Sequence, residues 1–140
     1  MDLTRRHLLA IGSGTAAFVS LAGLPALASL ADEAIATLTG GAEMGEGGVT
    51  LTAPEIAENG NTVPIEVSAP GAVAITLYAD GNPVPNVATF NFGPLSASRS
   101  ASTRIRLAKT QNVIAVAKME DGSFQMAKSE VKVTIGGCGG

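Results

Sequence analysis

The chain contains one thiol, Cys138, set between glycines in the closing "VTIGGCGG". A cysteine can act as nucleophile, metal ligand, disulfide partner or covalent attachment point, and the remaining residues decide among these. The only histidine, His7, falls in an amino-terminal stretch with the features of a removable export signal. Without it no Ser-His-Asp or Cys-His pair can form. A lone cysteine excludes a CxxC redox pair, and a Cys/His zinc site needs several ligands. The glycine-rich "GGAEMGEGG" lacks the lysine and the strand-to-helix setting of a phosphate loop. Glu55 and Glu58 are close in sequence, but their segment reads as surface, where carboxylates are solvated charge.

What remains is the thiol as a handle. Gly136, Gly137, Gly139 and Gly140 make up the rest of the last five residues. Glycine has no side chain to catch in a narrow channel and little preference among backbone conformations. Five extended residues reach about 17 Å, and with Ile135 taken as the last residue held by burial, Cys138 stands roughly 10 Å off the domain. Lys132 is the nearest cation in sequence. An exposed cysteine near its reference pKa of about 8.5 is only a few per cent thiolate at neutral pH, so activation is expected from enzymes that receive the arm. The competing reading is a structural or adhesion sandwich that dimerises through an intermolecular disulfide at Cys138. An accidental thiol fits an oxidising compartment poorly. Prenylation needs a different terminus, and bacterial lipid attachment needs a cysteine right after the signal.

The opening "MDLTRRHLLAIGSGTAAFVSLAGLPALA" pairs Arg5 with Arg6, continues uncharged to Leu24 and ends in the small-residue site Ala26-Leu27-Ala28. It is expected to be an export signal over residues 1–28, removed after Ala28, with Ala31 the alternative. Gly12, Gly14, Gly23 and Pro25 interrupt the apolar run, which argues against a permanent anchor. "TRRHLL" resembles a twin-arginine signal, with Leu8 where Phe is usual and Ala10 where Lys is usual. That route carries folded proteins into the periplasm. The chain after residue 28 holds seven basic and eleven acidic residues, a net charge of −4. It has no basic run, so nucleic acid is not an expected partner. No membrane association of the mature form is expected either.

The elements that position the arm follow from periodicity. "ADEAIATLTGG" reads as a short helix capped by Asp32, with Ile35 and Leu38 on one face and Gly40-Gly41 as the stop. Residues 45–48 read as a loop. Alternation then puts Val49 with Leu51, Val63 with Ile65 and Val67, and Val73 with Ile75 and Leu77. Pro64 points to an edge or a strand start, and Asp80-Gly81 to a turn. Strands containing Pro64 or Pro83 are candidate edges for a partner. Ile105 and Leu107 point inward with Arg104 and Arg106 outward. "NVIAVAKM" is apolar on both faces, hence a central strand. "EDGS" is a hairpin turn, and the last strand runs from about Phe124 to Ile135 with Val131, Val133 and Ile135 inward. The expected fold is all-β: an immunoglobulin-like antiparallel β-sandwich over residues 29–135, with a short N-terminal helix and a flexible arm over residues 136–140.

The closing "GGCGG", together with "ENGNTVPIEV", "GNPVPNVATFNFGP", "TRIRLAKTQNVIAVAKMEDGSF" and "KVTIGGCGG", resembles the SoxY family of the bacterial thiosulfate-oxidising Sox system. The likeness runs from about Asp32 to the end. It implies a sulfur carrier, with Cys138 in the place of the family's carrier cysteine. It implies a SoxZ-like subunit as heterodimer partner, exported with it. It also implies a haem thiosulfate-conjugating enzyme, a sulfate-releasing hydrolase and, where the cell has one, a sulfane dehydrogenase. The carrier itself is expected to catalyse no step and to hold no cofactor.

Overall fold

The computed structural model describes residues 30–136. A helix, α1 (Leu30–Thr39), is followed by nine strands: β1 (Met44–Glu46), β2 (Thr50–Thr52), β3 (Ile56–Ala57), β4 (Val63–Ser68), β5 (Ala72–Ala79), β6 (Asn86–Asn91), β7 (Ser100–Ile105), β8 (Gln111–Met119) and β9 (Phe124–Val133). They form two sheets. One has the order β1-β9-β8-β5-β6, with β3 also on β9; the other is β2-β4-β7. This is the expected immunoglobulin-like sandwich. All pairings are antiparallel except two: β1 and β3 lie parallel to β9, at Met44–Glu46 against Phe124–Met126 and at Ile56–Ala57 against Lys132–Val133. The two short strands cover successive lengths of an edge that would otherwise offer open backbone groups.

The core lies between the sheets. Val63, Ile65 and Val67 alternate inward along β4 as expected, and meet Ile75, Leu77, Val113, Leu107 and Val131. β8 is central, buried over nearly its whole length and paired to β5 on one side and β9 on the other. Its second face is covered by α1: Ile35 packs with Tyr78, Ile114, Val116 and Phe124. That packing pushes the Tyr78 phenol above its ordinary pKa by desolvation. Gly122, at φ 85°, closes the β8–β9 hairpin, and the Asp121 carboxylate beside it accepts from the Ser123 hydroxyl and amide. Those bonds hold the Asp121 carboxyl below its ordinary pKa.

Several expectations are corrected. Asp32 sits inside the first turn of α1, not at its cap, and Leu38 is half-exposed where Ile35 is buried. Residues 45–48 are strand in their first half, through β1. Val73 is only half-buried, because a register shift between Ala72 and Ala74 gives the core position to Ala72. Pro64 stands near the start of β4, yet β4 is the middle strand of its sheet. β2 reaches only Glu66–Ser68, so at Pro64 the strand has β7 alone as neighbour. That is where a missing donor is tolerated. Pro83 lies in the β5–β6 turn, not in a strand. Ile135 is 67% exposed, so burial does not hold the chain there.

Ile75 is fully buried and Leu95 is 97% exposed. Ile75→Ala is expected to lower stability by about 2–5 kcal/mol. Leu95→Ala should stay within about 0.5 kcal/mol of wild type. Urea unfolding of the two variants measures both.

Candidate functional site

The end of β9 is held by hydrogen bonds from two segments, residues 57–60 and residue 110. On one side, the Thr134 amide donates to the Ala57 carbonyl at 3.1 Å, and the Gly60 amide donates to the Ile135 carbonyl at 2.7 Å. The Thr134 hydroxyl adds a bond to the Glu58 carbonyl at 3.1 Å. On the other side, the Val133 amide donates to the Thr110 hydroxyl at 2.9 Å. The two loops are joined, since the Leu107 amide donates to the Gly60 carbonyl at 2.8 Å. The chain at residues 133–135 therefore lies between residues 57–60 and residues 106–110, held by hydrogen bonds where the sequence suggested apolar burial.

At Gly136 the main chain passes against the Ala108 carbonyl oxygen, so closely that a Cβ on residue 136 would collide with it. Glycine is required there for space. The Ala108 carbonyl is not free to retreat. Its own amide donates to Asn82 Oδ1 at 3.0 Å, and Asn82 Nδ2 donates to the Arg106 carbonyl at 2.8 Å. Gln111 Nε2 donates to Asn82 Oδ1 at 2.8 Å and to the Lys109 carbonyl at 2.9 Å. The Gly81 amide donates to Gln111 Oε1 at 2.8 Å. Asn82 and Gln111 are both buried, and Arg106, Lys109 and Glu58 are exposed around the exit.

Of the site residues expected from sequence, Gly136 is within the described residues. Gly137, Cys138, Gly139 and Gly140 lie outside them, as do Arg5 and Arg6. Glu55 and Glu58 are exposed, as read. Asn82 and Gln111 escaped the sequence reading: Asn82 was absorbed in a turn motif, and Gln111 preceded an apolar run. A polar residue directly before a strand buried on both faces was the available signal.

The described residues hold no group of three His, Cys, Asp or Glu side chains able to take a metal. No helix among them is long and apolar enough to cross a membrane. An open groove of about 500 Å³ lies between β2, β4 and β7 with Pro64, Glu66 and Arg104 in its lining. It brings together no catalytic constellation.

The described residues form a two-sheet sandwich whose last stretch, residues 133–136, is braced by hydrogen bonds and by a close backbone approach at Ala108. Residues 35–138 match the model of the family described as sulfur oxidation protein SoxY. The chain belongs to that family. Among solved structures it is similar to the sulfur carrier protein SoxY from Chlorobium limicola f thiosulfatophilum, at 40% identity and a TM-score of 0.64, over 74% of this chain and 96% of that one. A superoxide reductase (neelaredoxin) from Ignicoccus hospitalis is similar at 20% identity and a TM-score of 0.55, over 62% and 80% of the two chains. A putative superoxide reductase from Thermotoga maritima follows at 18% and 0.52, over 65% and 87%. These two likenesses are of fold alone. None of the curated proteins matches the chain.

Gly136→Ala is expected to push the chain end away from Ala108 and weaken the Gly60–Ile135 bond. Hydrogen exchange at the Gly60 amide should rise at least about tenfold, while strand β8 keeps its protection. Amide-resolved exchange by NMR measures both.

Proposed function

We propose that the chain is a covalent carrier of sulfur intermediates in periplasmic thiosulfate oxidation. Cys138 is the attachment point, and Gly136, Gly137, Gly139 and Gly140 form its arm. The observation that carries this reading is the extent of the family match, which runs to residue 138 and so takes in the chain's one thiol. The 40% identity to a protein described as a sulfur carrier supports it. So does the bracing of the chain over residues 133–136, just before the glycines and the thiol in sequence.

Loading joins the outer sulfur of thiosulfate to the Cys138 sulfur. An S–S bond forms, the thiol proton leaves, and an electron pair passes to a haem thiosulfate-conjugating enzyme. The product is a cysteine S-thiosulfonate. A hydrolase then directs water to the sulfonate sulfur. Sulfate and protons leave, and a persulfide remains on Cys138. Where the cell has a sulfane dehydrogenase, it oxidises the outer sulfur to a sulfonate with oxygen from water and takes the electrons, and a second hydrolysis frees the thiol.

The carrier catalyses none of these steps. It works as a heterodimer with a SoxZ-like subunit, exported already folded behind the Arg5-Arg6 leader. An arm of glycines suits the task because each enzyme must admit the thiol through a narrow entrance and release it again.

Cys138→Ser is expected to abolish thiosulfate-dependent respiration while fold and partner binding persist. Intact-mass spectra of protein from thiosulfate-grown cells should show sulfur-bearing adducts on the wild type, lost on reduction and absent from the variant. Continued oxidation by Cys138→Ser cells sinks the reading. A symmetric disulfide between two copies as the sole modification favours the structural sandwich instead.

A further inference from the structure

A group at the end of a short tether is only as well placed as the tether's root. Residues 106–110, between β7 and β8, belong to no strand. Yet the backbone of this segment is tied at Arg106, Ala108 and Lys109 by two side chains alone, Asn82 and Gln111. Asn82 is 8% and Gln111 6% exposed. Burying two amides costs desolvation unless every polar atom is met. Here Asn82 Oδ1 takes two donors, Asn82 Nδ2 finds the Arg106 carbonyl, and both ends of Gln111 are engaged. The segment they tie is the one the outgoing chain touches twice: Thr110 accepts from Val133, and the Ala108 carbonyl meets Gly136.

The geometry points to Asn82 and Gln111 as positioning residues of the carrier. Through Ala108 they set the place and direction in which the chain leaves the domain at Gly136, and so the origin from which Cys138 is offered to the enzymes. The inference rests on the carrier reading above. Cys138 lies two residues past Gly136, a span of at most about 7 Å. A root displaced by an ångström or two is a large fraction of that span. Such a shift lowers the fraction of encounters in which the thiol arrives aligned. On this account Gly136 is a fitted contact at the root of the tether.

The test uses the full mature chain in complex with its partner subunit. Gln111→Met keeps the volume, adds no charge and releases Gly81, Lys109 and Asn82. Gly136→Ala keeps both amides and disturbs the root alone, so it decides the question if Gln111→Met does not fold. Each is made with and without two glycines inserted between Gly137 and Cys138. Three quantities are read: melting temperature, the rate of Cys138 alkylation by iodoacetamide, and kcat/KM for thiosulfate conjugation by the haem enzyme.

The expected result is alkylation within about twofold of wild type, because a small reagent needs no placement, with conjugation down at least about tenfold. The inserted glycines should recover at least about threefold of that loss in the variants, because a longer tether reaches from a displaced root, and should give no gain in wild type. Unchanged conjugation in folded Gln111→Met and Gly136→Ala overturns the inference. So does a loss that the longer arm leaves unrelieved, since that marks a purely structural role. Absence of conjugation in the wild-type complex overturns the carrier reading itself, and the role assigned to the amide pair with it.

Discussion

Strand β8 is the constraint on which the rest of the molecule depends. It is paired on both edges and buried on both faces, so its backbone and its side chains must all be satisfied from outside. β5 and β9 supply the hydrogen bonds. The small sheet covers one face through Ile65, Val67 and Ile105, and α1 covers the other through Ile35. The arm's root belongs to the same arrangement. Gln111 is the first residue of β8 and pairs with Val131 of β9, a few residues before the chain leaves the domain. Whatever holds β8 in register therefore also holds the exit.

This explains how a domain with little regular structure at its exit can still present a segment from a set place. The Ala57 carbonyl, the Gly60 amide and the Thr110 hydroxyl brace the chain over residues 133–135, and the buried amides brace the loop that those residues touch. The design separates two demands. A carrier must be rigid where partners grip it and loose where it enters them. The sandwich answers the first with packing and hydrogen bonds, and the second is the task proposed above for the terminal glycines. The same sandwich occurs in superoxide reductases, so the fold by itself does not specify the chemistry.

Much of this was legible from residue types. The lone cysteine, the absence of histidine after His7 and the terminal glycines reduce the chemistry expected from sequence to a handle. Two-residue alternation gave β4 and the central place of β8 directly, since an apolar strand on both faces has nowhere else to go. Two positions depart from the pattern for different reasons: at Val73 a bulge breaks alternation without a mark in the sequence, and Ile135, apolar at a strand's end, stays exposed. The parallel strands β1 and β3 are too short for periodicity to register.

The sequence by itself determined the class of fold, the presence of one thiol and the family, because these depend on composition, local pattern and a motif that spans adjacent residues. Only the tertiary structure decided how the arm is rooted. Asn82 and Gln111 are separated by most of two strands and a sheet-to-sheet crossing, and Gly136 meets Ala108 across the end of the sandwich. Hydrogen bonds between side chains and distant backbone have no period and no fixed spacing. They exist only once the hydrophobic pattern has brought the two loops to the same end of the domain.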